Sequence, residues 1–169
     1  MTLTTHAIIG AAAARIFSFN PVLAGIAAFA SHFLIDTIPH WDYELKSARK
    51  DRQNRMNDNM VINRDFFIDL TKVAFDASLG VTLSLLFFWP HSLYGAGIIV
   101  MGAVLGILPD PLQFVYWKIR REPLISLQRL HRWIHNDSES LLGHWAIGAA
   151  LQIVLIVPAV IAALYAPLA

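Results

Sequence analysis

Histidine and aspartate recur in this chain at the ends of apolar stretches. Six of the seven histidines fall there, most with a carboxylate close by: His6; His32 with Asp36, His40 and Asp42; His131 with His135; and His144. Asp110 stands inside an apolar stretch of its own. Such side chains are costly in or beside hydrocarbon, so a chain that gathers them there usually does so for a site. Neutral imidazole with carboxylate is the ligand set of zinc and related divalent ions such as manganese. His32 and Asp36 are spaced i, i+4 and share one helix face, with Pro39 placed to turn His40-Trp41-Asp42 back over it. The same pair also reads as a hydrogen-bonded structural dyad. His131 and His135 repeat the spacing, which lets two rings reach one ion; the alternative is an amphipathic helix with histidines at the interface.

The elements that must position these residues belong to a membrane protein. Of 169 residues, 56% are hydrophobic and only 15% charged, against roughly 25% charged in soluble domains. Mean hydropathy is +0.53. Without cysteine, disulfides and thiolate metal sites are excluded. A net charge of +1 provides no electrostatic footprint for nucleic acid, which is not among the expected partners. Residues before His6 lack the basic start of a cleavable signal, so the first apolar stretch is expected to be retained.

Apolar stretches run over residues 7–19, 22–38, 66–89, 93–117 and 145–164. The first two are short, broken by Asn20-Pro21, and predict a tight hairpin, tilted or partly re-entrant. The fourth is interrupted by Pro109-Asp110-Pro111. The expectation is an all-α integral membrane bundle of four or five segments, one domain over residues 1–169. Polar loops at about 41–65 and 118–140 hold nearly all the lysine and arginine. The turns at Asn20-Pro21 and Pro90-His91 hold none, so the positive-inside rule places both loops on the cytoplasmic side of an inner membrane. In that topology His6, Asp36, His40, Asp69, Asp76, Asp110, His131, His135 and His144 all lie toward the cytoplasmic face.

Asp110 and Asp76 sit about two turns into their spans, where a carboxylate must be paired, ligating or facing water. Lys72 stands four residues before Asp76 and could neutralise it or Asp69. Serine chemistry lacks support, because no Gly-x-Ser-x-Gly occurs. Gly95, Gly97, Gly102 and Gly106 suit close helix packing in lipid.

Thr5-His6 followed by Gly10, then Leu108-Pro109-Asp110, then His131-Arg132 with His135, resembles the YdjM-type inner-membrane proteins, regarded as metal-dependent hydrolases. Ser31-His32 through Asp36, Pro39 and His40-Trp41-Asp42 looks like small bacterial membrane proteins of the same layout. More distantly, the helical His-x-x-x-Asp is similar to the zinc-dependent phospholipase C and single-strand nuclease superfamily, in which clustered zinc activates water against phosphodiesters. This chain departs from the YdjM pattern at Asp110-Pro111, where a second aspartate is usual, and in its His-Asn-Asp segment.

The resulting expectation is metal-assisted hydrolysis of a lipid phosphoester at the cytoplasmic face. His6, His32, Asp36, His40, Asp110, His131, His135 and His144 are the candidate ligands or their supports, and Asp76 or Asp42 the base. The alternative is a non-catalytic membrane protein with a structural metal site, or a small metal or proton carrier, although the nearly apolar outer half counts against transport. Topology provides the first test. Cysteines introduced near Ser47 and near Ser92 should label from opposite sides of sealed vesicles, and equal labelling from outside would break the one-faced arrangement.

Overall fold

A computed structural model describes residues 1–134, 141 and 144–166. The described chain is predominantly helical, with α1 (Leu3–Ile16), α2 (Pro21–Asp36), α3 (Arg64–Phe88), α4 (Leu93–Ile107), α5 (Pro109–Lys118), α6 (Leu124–Ile134) and α7 (Trp145–Tyr165). A small antiparallel ribbon, β1 (Ala48–Arg49) and β2 (Asn59–Met60), joins α2 to α3 and pairs Ala48 with Met60. Four or five membrane segments were expected from apolarity. By length and composition, α3 and α7 can cross a bilayer, and α4 with α5 makes a third candidate span bent by 45°. At 14 and 16 residues, α1 and α2 reach only about 21 and 24 Å, short of a hydrocarbon core of roughly 30 Å.

Local chemistry explains the boundaries. Asn20, read in the sequence as a break, is the N-cap of α2, where Oδ1 accepts from Val22 N at 3.0 Å and Pro21 takes the first helical position. Asn63 caps α3 and Ser92 caps α4 through their side chains. Trp89 ends α3 immediately before Pro90, as the restriction on residues preceding proline requires. At Leu108 the chain keeps a helical conformation, but Pro109 and Pro111 remove two donors and the axis turns.

The core centres on α1. It packs against α2, α3, α4 and α7 and is buried along most of its length, the behaviour of a helix that is apolar all round. Its small residues allow very close approach. A Cβ on Gly10 would stand 2.8 Å from Gly106 Cα and 2.5 Å from Gly102 O. Gly102 and Gly106 therefore act as the packing glycines expected, whereas Gly97 has open space around it and Gly95 meets only its own turn. By contrast α7 exposes Ile153, Val154, Val157 and Ile161, a face suited to lipid.

Arg15 reaches across the far end of α1 to Ala163 O, 2.9 Å away, and lies over the Phe88 ring. Near the ribbon, Tyr116 donates to Met56 O at 2.9 Å, Lys118 to Met60 O, and Arg120 to the Asn57 and Asp58 carbonyls. These bonds pin the first basic loop to the end of α5. Replacing Gly10 by valine should separate α1 from α4 and lower thermal stability in detergent by about 2 kcal/mol or more, on the scale of overpacking; Gly97→Val should leave it nearly unchanged.

Candidate metal centre

The helices bring His6 (α1), His32 and Asp36 (α2), Asp110 (α5) and His131 (α6) to one point, with His40 folding back from the segment after α2. Asp36 is at the centre, 2% exposed. Its Oδ1 lies 3.2 Å from His6 Nε2 and 3.9 Å from His40 Nε2. Its Oδ2 lies 3.2 Å from His32 Nε2 and 3.4 Å from His131 Nε2. Yet among the described residues neither carboxylate oxygen, and neither nitrogen of His6, is in hydrogen-bonding geometry with a partner. Atoms this close that do not point at one another are what a shared cation would organise, and buried charges without one are costly.

Ring orientation is set from outside the cluster. His32 Nδ1 is 2.8 Å from Gly106 O, and His40 Nδ1 is 2.7 Å from Ile38 O. A carbonyl can only accept, so each Nδ1 donates and leaves Nε2 as a lone pair facing the cluster, the usual support of a ligating imidazole. The Gly106 carbonyl is available because it lies in the last turn of α4, where the proline elbow interrupts the helix. The Gln113 amide sits 3.3 Å from His131 Nδ1 and braces that ring. His6 stacks on His32 with centroids 3.9 Å apart.

The distances suit a small ion. Ligand atoms about 2.0–2.1 Å from a tetrahedral zinc lie roughly 3.3 Å from one another. His32 Nε2, His131 Nε2 and Asp36 Oδ2 form a triangle with sides of 3.2, 3.4 and 3.5 Å. Asp110 Oδ1 stands off this triangle, 3.7 Å from His32 and 3.8 Å from His131. A second group, His6, His32 and Asp110, brings its ligand atoms within 4.8 Å of one another and shares His32 with the first. Asp110 is also the open side, with its side chain 34% exposed while those of His6, His32, Asp36 and His131 are at most 3% exposed.

The other sequence candidates lie around this core or away from it. Asp42 is half exposed, accepts from Tyr43 N at 2.8 Å, and lies 3.7 Å from the Met1 amino nitrogen, which is itself 3.8 Å from Asp36 Oδ1. Burial lowers the His40 pKa and raises that of Tyr43, with Asp76 the next cause for the phenol. Asp76 binds the start of α1, accepting from Leu3 N at 2.7 Å, Thr4 N at 3.1 Å and Thr4 Oγ1 at 2.6 Å. Lys72 pairs instead with Asp69, whose other oxygen holds Ser47 N and Oγ. His144 is exposed at the start of α7, and the described residues do not bring it into the cluster. His135 lies outside the described residues.

Sequence reasoning passed over Gln113 and Gln152. Gln113 is one helical turn beyond Asp110, and a polar residue on that face was the available signal. Gln152 accepts from Thr5 Oγ1 at 2.7 Å and donates to Trp41 O at 3.0 Å, tying α1 and the His40 segment to α7. Gly148 leaves no room for a Cβ where Trp41 crosses it.

Comparison with protein-family models, with curated proteins and with solved structures finds no match. The likeness to YdjM-type proteins remains one of short motifs. A buried His/Asp cluster with metal-ligand spacing, in a helical chain with two to three candidate spans, is the class of protein that fold and site define.

The placement of Asp76 yields a direct test. Charge-assisted bonds to a helix start contribute about 1.5–3 kcal/mol, so Asp76→Ala should lower thermal stability by that order. An Asp76→Ala protein of unchanged stability would show that the anchor is dispensable.

Proposed function

We propose that the chain is a membrane-embedded, metal-dependent hydrolase that cleaves a lipid phosphoester at the cytoplasmic face of the inner membrane. The observation that carries this reading is Asp36, buried and with no hydrogen bond among the described residues, with four imidazole nitrogens 3.2–3.9 Å away. In this reading His32, Asp36 and His131 are ligands and Asp110 completes the set at the exchangeable edge. His6 and His40 serve the other oxygen of Asp36, and His135 and His144 are kept as further candidate ligands from the sequence. Zinc is the first choice because the donors are imidazole and carboxylate and no thiolate is available, with manganese next.

A divalent ion there supplies Lewis acidity, acidifying water and polarising a phosphoryl oxygen. The chain's own residues do the rest. Gly106, Ile38 and Gln113 hold the rings in orientation. Asp42, half exposed beside the cluster, takes the proton from water as general base. Asp76 positions His6 through the start of α1. The exposed flank of Asp110 favours catalysis over a structural ion, since structural sites are closed by four protein ligands. Location favours a lipid substrate, because a site among spans is reached most readily from the bilayer. Candidate basic partners for its phosphate, including Lys46 and Arg121, lie on the same loops that set topology.

Metal analysis of detergent-purified protein should find at least one equivalent of zinc, manganese or a similar ion. His32→Ala combined with His131→Ala should release it, while His40→Ala should weaken binding about 10- to 100-fold. Asp110→Asn should preserve the fold and abolish hydrolysis across a panel of lipid phosphates. Full metal occupancy in the double variant would refute the ligand assignment, and unchanged turnover in Asp110→Asn would refute the hydrolase.

A further inference from the structure

A groove of about 490 Å³ runs between α3 and the α4–α5 elbow, walled by Ala77, Val81 and Thr82 on one side and Val104, Leu108 and Pro111 on the other. That volume is within the range of ordinary small-molecule sites. Its lining is apolar, and even Thr82 turns its hydroxyl back to Ser78 O at 2.8 Å, leaving the methyl for the groove. All the walls belong to candidate membrane spans, so the groove opens toward hydrocarbon.

Its depth matches that of the metal centre. Asp76, next to Ala77, binds the first turn of α1, and Gly80 packs on Ala7, one residue from His6. The elbow joins the two places directly. Leu108 and Pro111 face the groove, while Asp110 between them supplies the only substantially exposed side chain of the His/Asp core among the described residues. A straight partner helix is about 10 Å across and does not fit a wall bent by 45°, whereas a flexible alkyl chain follows the bend.

We infer that this groove holds one acyl chain of a phosphate-bearing membrane lipid, with the headgroup end of that chain at Asp110. The inference rests on the hydrolase reading and names the part of the substrate that selects the site. A chain seated at the elbow brings the phosphoester to the open flank of the cluster without leaving the bilayer.

Full-length protein in phosphatidylcholine vesicles would be photolysed with phosphatidic acid carrying a diazirine on one acyl chain, and in parallel with the matching diacylglycerol. Labelled residues would be located by mass spectrometry. The phosphatidic acid probe should label residues 77–82 and 104–111 well above the lipid-facing residues of α7, and more strongly than diacylglycerol does. Thr82→Trp should reduce that labelling about tenfold or more, the scale of exclusion from an apolar pocket. Val157→Trp on the exposed face of α7 should leave it unchanged. Val104→Trp fills the groove from the other wall and serves if Thr82→Trp fails to fold. Uniform labelling of all exposed faces, or equal labelling by the two probes, would overturn the inference. Labelling does not depend on turnover, so a labelled groove without phosphoester cleavage would refute the hydrolase alone. Undiminished lipid turnover in a folded Thr82→Trp protein that no longer labels would refute the role of the groove alone.

Discussion

Asp36 is almost completely buried and neither of its oxygens has a hydrogen bond among the described residues, so its charge must be balanced by the imidazoles around it, by the Met1 amino group 3.8 Å from Oδ1, or by an ion among them. Removing one partner of a buried charge typically costs about 3–5 kcal/mol, which places the neighbours of Asp36 under a strict demand for position. Much of the architecture meets that demand. The α1–α4 contact sets His6 against Gly106, the elbow frees Gly106 O for His32, and Gln113 steadies His131. The segment after α2 is fastened by Trp41 to α7, which keeps His40 over the cluster.

The two prolines at the elbow shape both the His/Asp cluster and a candidate membrane span. A straight continuation of α4 would use the Gly106 carbonyl within the helix and give His32 no acceptor there. Bending releases that carbonyl and turns Asp110 toward the histidines, while Leu108 and Pro111 at the same bend wall a groove. Irregular backbone at membrane depth is tolerated where its polar groups find partners in the protein, and here the partner is a histidine of the cluster.

The His/Asp cluster was more legible in the sequence than the candidate membrane segments were. Ionisable residues in apolar stretches are conspicuous, and i, i+4 spacing predicts a shared face, so His32, Asp36 and Asp110 stood out from neighbours that are nearly all apolar. Asp76 shows where this reasoning ends. Its depth signalled a need for a partner but not which partner, and it takes the two N–H groups of a helix start far away in sequence rather than Lys72 on its own helix. The lengths of α1 and α2 were similarly ambiguous, because hydropathy cannot distinguish a helix facing lipid from one surrounded by other helices. The Gln152 network depends on contacts across about 150 residues, which no local pattern encodes.

That ambiguity has a consequence for how the chain tolerates change. In α7 the outward side chains are exposed and apolar; where that face meets hydrocarbon, one bulky aliphatic residue is as acceptable as another and the constraint is solubility in oil. At Gly10 of α1 the nearest neighbours are the backbones of Gly102 and Gly106, and the constraint there is a ceiling on volume. Sequences drifting from a common ancestor would therefore exchange Ile, Val and Leu freely along α7 while holding Gly and Ala along α1. A helix less apolar than α4 or α7 would be the slowest to change, and an inventory of variants would mark the centre of this molecule by size alone.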